Sequence, residues 1–277
     1  MASKHASRNV RSTAARDFIK IMEGLSYGQR PWDIFEDWTV MASCAIYNRI
    51  FKDPDVERQY LDVAGRYAPD KLDGMCRMLA IAMETLLEDP RDFLGEIFEG
   101  SDFANGNHGQ FFTPWNLSVL IAQMSLQGFQ KTPNRILTVS EPACGAGGMC
   151  LAACQVFAEA GINISSDVYF EAQDIDPTCS RMAYIQLSLA GAAAVVSCGD
   201  TLRMTRSWAW PTPAYVLNQV GSRLTSQRLI DGMRSALGLI NPEGDPGQSG
   251  ASMDRLGRLE LPPAREYVQA ELFEVGA

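Results

Sequence analysis

Three short apolar stretches alternate with two helix-like stretches in the second half of this 277-residue chain. Each apolar stretch carries β-branched or aromatic residues and ends at a polar or acidic one. The three stretches are RILTVSEP (135–142), DVYFEAQD (167–174) and AAVVSCGD (193–200). Helix-like segments over 147–160 and 177–190 lie between them, an order typical of a parallel sheet with crossover helices on its faces. The sequence therefore predicts an α/β domain, and AYVLN (214–218) is predicted as its fourth strand.

The chain before this sheet is predicted to be helical. The segments WDIFEDWTVMASCAIYNRIF (32–51) and KLDGMCRMLAIAMETLLEDP (71–90) place apolar residues three and four positions apart, as the buried face of a helix requires. A Gly/Asn-rich break, GSDFANGNHGQ (100–110), follows them. The predicted parts are a helical N-terminal domain over 1–104, the α/β domain over 105–218 and a partly disordered C-terminal tail over 219–277.

The charge distribution constrains the partners of the chain. A net charge of −9 argues against a generic nucleic-acid binder. Residues 32–104 hold sixteen Asp/Glu against seven Lys/Arg, so we expect this helical region to pack on the sheet domain or on a partner protein. Residues 1–30 and 203–234 are basic, and they are either contacts for a phosphate backbone or simply solvated ends.

Cysteine content and hydropathy indicate the compartment. Seven cysteines without framework spacing favour free thiols in a reducing cytoplasm. No apolar run approaches the roughly 20 residues of a membrane span, and the first residues lack the apolar core of a secretory signal. Cys144, Cys150 and Cys154 are spaced as buried small hydrophobes rather than as metal ligands, and His108 is the one internal histidine, so no metal site is predicted.

A glycine-rich turn, EPACGAGG (141–148), falls between the first strand and the first crossover helix. Glycines there let a ligand approach the backbone, and the helix N-terminus offers free N–H groups. Asp174 and Asp200 end the next two strands, where carboxylates can bind ribose hydroxyls and an adenine amino group respectively. Asp176, followed by Pro177, is predicted as the N-cap of the next helix.

The segment GQFFTP (109–114) precedes the sheet and can close over the same ligand, with Thr113 predicted to cap a helix that starts at Pro114. Taken singly, each strand-end acid is as well explained as a helix cap or turn former. The four features in this order favour a nucleoside site. A nicotinamide-dependent dehydrogenase is the poorer alternative, because its G-x-G-x-x-G turn is absent and Asp200 has no role in it.

These motifs resemble the N6-adenine DNA methyltransferase family, in particular the modification subunits of type I restriction systems and their short phage- and plasmid-borne relatives. The resemblance covers about residues 95–205. It implies a Rossmann-like methyltransferase sheet, shortened after the fourth strand, and S-adenosylmethionine as the cofactor. The residues that it implies for the methionine part are Phe112, Thr113, Glu141, Pro142, Ala143, Cys144, Gly145 and Gly147. Asp174 is implied for the ribose and Asp200 for the adenine.

The catalytic motif of that family is an Asn or Asp followed by Pro-Pro and an aromatic residue, and this chain departs from it. At the matching place the chain reads VLNQVGSR, so Asn218 is the predicted proton acceptor without its prolines or ring. INPEG (240–244) is a poor substitute because it follows no strand. Trp208, Trp210 and Tyr215 either stack a base or, as we prefer, pack beneath the sheet.

The sequence therefore predicts an adenine-specific, S-adenosylmethionine-dependent DNA methyltransferase, with DNA and possible restriction-modification subunits as partners. The alternative is a non-catalytic scaffold that binds the cofactor together with DNA or such a subunit.

Overall fold

The computed structural model describes residues 12–101, 112–126, 132 and 134–237. Within them the N-terminal half is helical. Its helices are α1 (Thr13–Leu25), α2 (Pro31–Phe51), α3 (Pro54–Ala64), α4 (Pro69–Glu88), α5 (Phe93–Gly100) and α6 (Trp115–Ser125). None of the described helices has both the length and the apolar character needed to cross a membrane.

The second half alternates strands and helices before it ends in two further helices. In chain order these are β1 (Leu137–Glu141), α7 (Gly148–Glu159), β2 (Val168–Asp174), α8 (Pro177–Leu189), β3 (Ala194–Cys198), β4 (Trp208–Pro211), α9 (Pro213–Leu217) and α10 (Val220–Ala236). The described residues up to Met233 form one compact unit, and residues 234–237 belong to a second.

The four strands form one sheet in the order β1-β2-β3-β4. The first three strands are parallel, with Glu141 opposite Ala172 and Asp174 opposite Cys198. They lie where the sequence predicts strands, and α7 and α8 lie on the two predicted crossover helices. The predicted fold class, an α/β sheet preceded by a helical N-terminal region, is confirmed.

The predicted fourth strand is wrong. Residues 214–218 lie in and just after the short helix α9, and Pro213 occupies the first turn, where its fixed φ suits a helix and its missing N–H costs nothing. The strand that the chain does form, β4, lies earlier and runs antiparallel to β3, with Trp208 opposite Cys198. The chain therefore turns back along β3 and ends β4 at the amino ends of the parallel strands.

Two apolar clusters cover the sheet. One is built from α7, α8 and strand residues such as Phe170 and Val196. The other lies at the amino ends of the strands, where α9 and α10 pack on residues such as Tyr169 and Val195. The Gln227 side chain on α10 hydrogen-bonds both the backbone N–H and the carbonyl of Ile136, just before β1.

The helical region packs directly on α8. Its aromatic core includes Phe18, whose ring meets Trp38 edge-on at 4.9 Å between centroids. Met182 and Ile185 of α8 and Ala146 from the glycine-rich turn are buried in the same cluster. Of the two packing surfaces expected for this acidic region, the sheet domain and a partner protein, the structure shows the first. The shared cluster holds the helical region against the turn that follows β1.

A second contact between the same regions centres on Arg181. Its guanidinium donates to Ser43 Oγ on α2 at 2.8 Å and lies 5.3 Å from the ring centre of Trp210. Trp210 is buried and stacks on Tyr47 with 4.6 Å between ring centroids. Trp208 adjoins Trp210, and Tyr215 packs on Tyr169 instead. The preferred interpretation of these rings as packing residues is confirmed.

We expect Arg181→Met to lower the free energy of unfolding by about 1.5–3 kcal/mol, the usual range for hydrogen bonds made by a charged group. Methionine keeps an aliphatic stem over the indoles but removes the donors to α2 and α3. Urea unfolding followed by tryptophan fluorescence measures the change. The exposed ion pair of Arg77 with Asp73 provides the control, because Arg77→Met should change little. Equal effects of the two substitutions would contradict the prediction.

Candidate functional site

The carboxyl ends of the three parallel strands meet at one edge of the sheet, which we name the carboxyl edge: Glu141, Asp174 and Cys198 with the loops that follow them. Backbone hydrogen bonds tie the loops together. The Cys144 N–H donates to the Gln173 carbonyl, and the Gly199 N–H donates to the Asp174 carbonyl, both at 2.8 Å. The structure thus brings together the glycine-rich turn and both strand-end acids, as the sequence predicts.

The turn after β1, residues 142–147, is named the glycine loop. Gly145 has a φ of 53° and Gly147 a φ of 93°, backbone angles that residues with a side chain rarely adopt. Gly147 is the residue before the first turn of α7. A Cβ on Gly147 would lie 3.3 Å from Ala183 of α8, so the missing side chain also allows the loop to sit close to that helix.

Asp174 holds this loop in place. Its Oδ2 accepts from the Gly145 N–H at 2.8 Å and its Oδ1 accepts from the Asp176 N–H at 2.9 Å. The carboxylate is half-buried. The Asp176 side chain accepts in turn from the Cys179 N–H at 2.9 Å, so its predicted role as the N-cap of α8 is confirmed.

Asp200 shapes the loop after β3. Its Oδ1 accepts from the backbone N–H groups of Leu202 and Arg203, and its Oδ2 lies 3.5 Å from the Arg203 guanidinium. The neighbouring Thr201 hydroxyl donates to the Pro142 carbonyl at 2.6 Å. This bond links the loop after β3 to the glycine loop and closes the carboxyl edge above β2.

Phe112 lies beside the glycine loop, but Thr113 does not cap the helix that follows. A Cβ on Gly145 would lie 2.9 Å from the Phe112 ring, which meets Phe98 edge-on at 4.9 Å between centroids. The helix predicted to start at Pro114 begins at Trp115, and Pro114 is its N-cap residue with no side-chain cap. The prediction that Thr113 caps this helix is therefore wrong. Gly109 to Phe111 of the same motif lie outside the described residues.

Two exposed aliphatic side chains flank the acids, and sequence reasoning missed them. Ile175 follows Asp174 directly and is 67% exposed; Leu202 lies two residues after Asp200 and is 95% exposed. They add apolar surface to an otherwise polar edge. No pattern in the sequence singles them out, because isolated exposed aliphatic residues are common on protein surfaces.

The cysteines near the loop are buried free thiols. Burial raises the pKa of Cys144, Cys150 and Cys154, and nearby acids raise that of Cys144 further. A thiol with a raised pKa is a poor nucleophile at neutral pH. The three side chains act as small core residues. Within the described ranges no three or more His, Cys, Asp or Glu side chains are grouped as metal ligands.

Asn218 is not brought to the carboxyl edge. It is the C-cap residue of α9, and its Nδ2 donates to the Ala214 carbonyl at 3.0 Å. α9 follows Thr212, whose backbone N–H donates to Ala194 at the first residue of β3. Ala214 and Val220, on either side of Asn218, are buried in the cluster at the amino ends of the strands, so Asn218 lies toward those ends. Its predicted place at the end of a strand is wrong, and its catalytic role stays a prediction.

Residues 89–217 match the family model described as N-6 DNA Methylase. The resemblance to N6-adenine DNA methyltransferases is confirmed. This methylase-like segment starts just before α5 and contains the glycine loop, both strand-end acids and Phe112. It ends one residue before Asn218.

Two solved structures are similar to the chain at low identity. One is from Listeria monocytogenes and is assigned to the class I S-adenosylmethionine-dependent methyltransferases, with 15% identity and a TM-score of 0.36 over 68% of this chain. The other is the type I restriction-modification system methyltransferase subunit from Streptococcus thermophilus, with 14% identity and a TM-score of 0.37 over 68% of this chain. The chain spans 54% and 58% of these two proteins. No curated protein matches it.

Proposed function

We propose that the chain binds S-adenosylmethionine at the carboxyl edge and transfers its methyl group to the N6 atom of adenine in DNA. The observation that carries the proposal is the meeting of the glycine loop with Asp174 and Asp200 inside the segment that matches N-6 DNA methylases. In an open α/β sheet, ligands bind outside the carboxyl ends of the strands.

The groups at this edge fit the proposed cofactor. A carboxylate has about four lone-pair sites, and Asp174 uses two of them for backbone N–H groups, which leaves acceptor capacity for a ribose diol. Ile175 and Leu202 provide exposed apolar surface of the kind that packs on an adenine ring. Asp200 is the acceptor proposed for the adenine amino group. Phe112, Thr113 and the start of the glycine loop are proposed for the methionine part.

The cofactor would supply an electrophilic methyl group on its sulfonium, and the protein must present the acceptor amine to it. An adenine amine is a weak nucleophile, so a hydrogen-bond acceptor for its protons is required in the transition state. Asn218 is the residue predicted for that role. Its position toward the amino ends of the strands argues against it, because positioning contributes only when the groups are within reach of the reacting atoms.

The same position favours a second candidate function. A chain that keeps the cofactor site but holds Asn218 away from it can act as a cofactor-binding scaffold for DNA or for a restriction-modification subunit. The exposed Arg203 at the carboxyl edge is a candidate phosphate contact in either case. We also propose a cytoplasmic location, which seven cysteines without framework spacing support.

Transfer of tritiated methyl groups from S-adenosylmethionine to unmethylated plasmid DNA tests the proposal. We expect incorporation, recovered as N6-methyladenine after nuclease digestion, and we expect Asp174→Ala to abolish it. Asn218→Ala is the discriminating variant: retained transfer would remove Asn218 from catalysis, and lost transfer with unchanged cofactor binding would establish it as the acceptor. Cofactor binding without incorporation into any DNA, with or without added subunits, would favour the scaffold.

A further inference from the structure

Gln186 is a fully buried polar residue on α8, and its amide joins three separate segments. Its Nε2 donates to the Ala146 carbonyl in the glycine loop at 2.7 Å and to Asp92 Oδ1 at 2.8 Å. Its Oε1 accepts from the backbone N–H of Leu94, in the first turn of α5, at 2.9 Å. The glycine loop, α8 and the start of α5 therefore meet at one side chain.

The amide of Gln186 can satisfy these partners in one orientation only. An amide has two N–H donors and one carbonyl acceptor, and here two acceptors and one donor surround it. Exchanging its oxygen and nitrogen would place oxygen against two acceptors and nitrogen against a donor. Because a buried polar group without a partner is costly, the three segments are fixed relative to one another.

Asp92 fixes the other side of this contact. Its Oδ1 also accepts from the Gly95 N–H at 3.0 Å, so it caps α5. A Cβ on Gly148 would lie 2.6 Å from Asp92 Oδ2, so the carboxylate lies directly against the start of α7. Desolvation raises the pKa of Asp92, and its hydrogen bonds to Gln186 and Gly95 act in the opposite direction.

The far end of α5 reaches the same loop by a different route. Phe98 contacts the Phe112 ring, and that ring occupies the space beside Gly145 that a side chain would fill. α5 is thus linked to the loop through polar contacts at its first turn and through two aromatic rings at its last turn. The polar link reaches Ala146, between Gly145 and Gly147, and the aromatic link reaches Phe112, which is itself proposed to bind the cofactor.

We propose that Gln186 is a positioning residue that holds the glycine loop in its binding conformation and couples that conformation to α5. The inference rests on the proposed cofactor site, and it adds that the conformation of the glycine loop sets the affinity of that site for the cofactor. Gln186 is fully buried, and its hydrogen bond to the glycine loop is the one to the Ala146 carbonyl. If losing this bond leaves the loop competent for one-tenth of the time, the apparent Kd for S-adenosylmethionine rises about tenfold. A partner that shifts α5 would then change the affinity for the cofactor. By reciprocity, the cofactor would change the affinity for that partner by the same factor.

Three variants and one control separate positioning from stability. Gln186→Met removes all three hydrogen bonds and keeps a side chain of similar length. Gln186→Glu places a second carboxylate against that of Asp92. In the double variant Asp92→Asn with Gln186→Glu, the new amide can donate to the new carboxylate and Leu94 still has its acceptor. The amide nitrogen then takes the place of Asp92 Oδ1, so the Gly95 N–H loses its acceptor. While the new carboxyl group is ionised, nothing in that pair donates to the Ala146 carbonyl; its neutral form would donate, so the titrations are repeated at a higher pH. Arg181→Met is the control, because it weakens a different contact of α8 with the helical region.

Urea unfolding, calorimetric titration with S-adenosylmethionine and hydrogen exchange of the peptide over 141–150 are measured for each folded variant. We expect the double variant to recover part of the stability lost in Gln186→Glu, because two carboxylates no longer face each other although the α5 cap is lost. Its Kd should stay about tenfold above that of the unaltered protein. Exchange should be faster at the Gly145 and Gly147 amides in Gln186→Met and in the double variant, and unchanged in Arg181→Met.

Stability and affinity recovering together in the double variant would overturn the inference, as would normal affinity and normal loop exchange in Gln186→Met. If Gln186→Met does not fold, the double variant carries the comparison. If the unaltered protein binds no S-adenosylmethionine, the proposed function fails on its own. Hydrogen exchange of the glycine loop without cofactor then still tests whether Gln186 positions the loop. Faster exchange in Gln186→Met that is confined to 141–150 supports the inference, and unchanged exchange there contradicts it.

Discussion

Replacing Asp174 with alanine is expected to abolish the rise in melting temperature that S-adenosylmethionine produces in the unaltered protein. A ligand at 100 times its Kd stabilises the folded state by about 2.7 kcal/mol, which raises Tm by several degrees in a protein of this size. The alanine removes the proposed ribose acceptor. It also removes the hydrogen bond that holds the Gly145 N–H, so the loop loses its support at the same time. Thermal unfolding with and without cofactor measures both effects.

Asp176→Ala is the matched control, because Asp176 lies two residues away and caps α8 without contacting the glycine loop. Loss of this N-cap should lower stability by about 0.5–2 kcal/mol and leave the cofactor-dependent shift in place. A full shift in Asp174→Ala, or its loss in both variants, would contradict the proposed role of Asp174.

Gly199→Ala is expected to reduce stability by about 3 kcal/mol or more, at the upper end of what overpacking causes. A Cβ on Gly199 would lie 2.0 Å from the Thr205 carbonyl oxygen and 2.7 Å from the Arg206 Cα. These are backbone atoms, so no change of side-chain rotamer relieves the clash. The Gly199 N–H also donates to the Asp174 carbonyl, so a shifted loop disturbs the carboxyl edge. Urea unfolding measures the loss.

Gly24→Ala provides the comparison for that prediction. Gly24 lies in α1, and no atom would lie within 4 Å of an added Cβ. Alanine there should raise stability by roughly 0.5–1 kcal/mol, because it favours the helix without meeting a neighbour. A Gly199→Ala protein as stable as the Gly24→Ala protein would show that the loop between β3 and β4 can rearrange freely.

Local patterns were sufficient to predict the parallel strands and their helices. β2 was recognisable because an apolar run ends at Asp174, and the Asp176–Pro177 pair marks the start of α8 unambiguously. Such signals depend on residues close together in sequence, for which the physical preferences of caps and strands suffice. The meeting of Asp174 and Asp200 at one edge was also predictable, since the carboxyl ends of neighbouring parallel strands lie at the same edge of a sheet.

The errors lie where tertiary packing decides. AYVLN has the composition of a strand, but Pro213 starts a helix there and the tryptophans ahead of it find partners on α2 and α8. Nothing local indicates that β4 runs antiparallel. The contact of Gln186 with Asp92 joins residues 94 positions apart, so no spacing rule could find it.

The amide of Gln227 also bears on how this protein behaves at high concentration. Among the described residues β1 is an edge of the sheet, and such edges can recruit strands from other molecules into growing polymers. Gln227 takes the place of a neighbouring strand at Ile136 by bonding both of its main-chain polar groups. Along the described β1, the main-chain N–H and carbonyl groups that point away from β2 are then those of the alternate residues Thr138 and Ser140. So short a run of free groups is a weak template for aggregation.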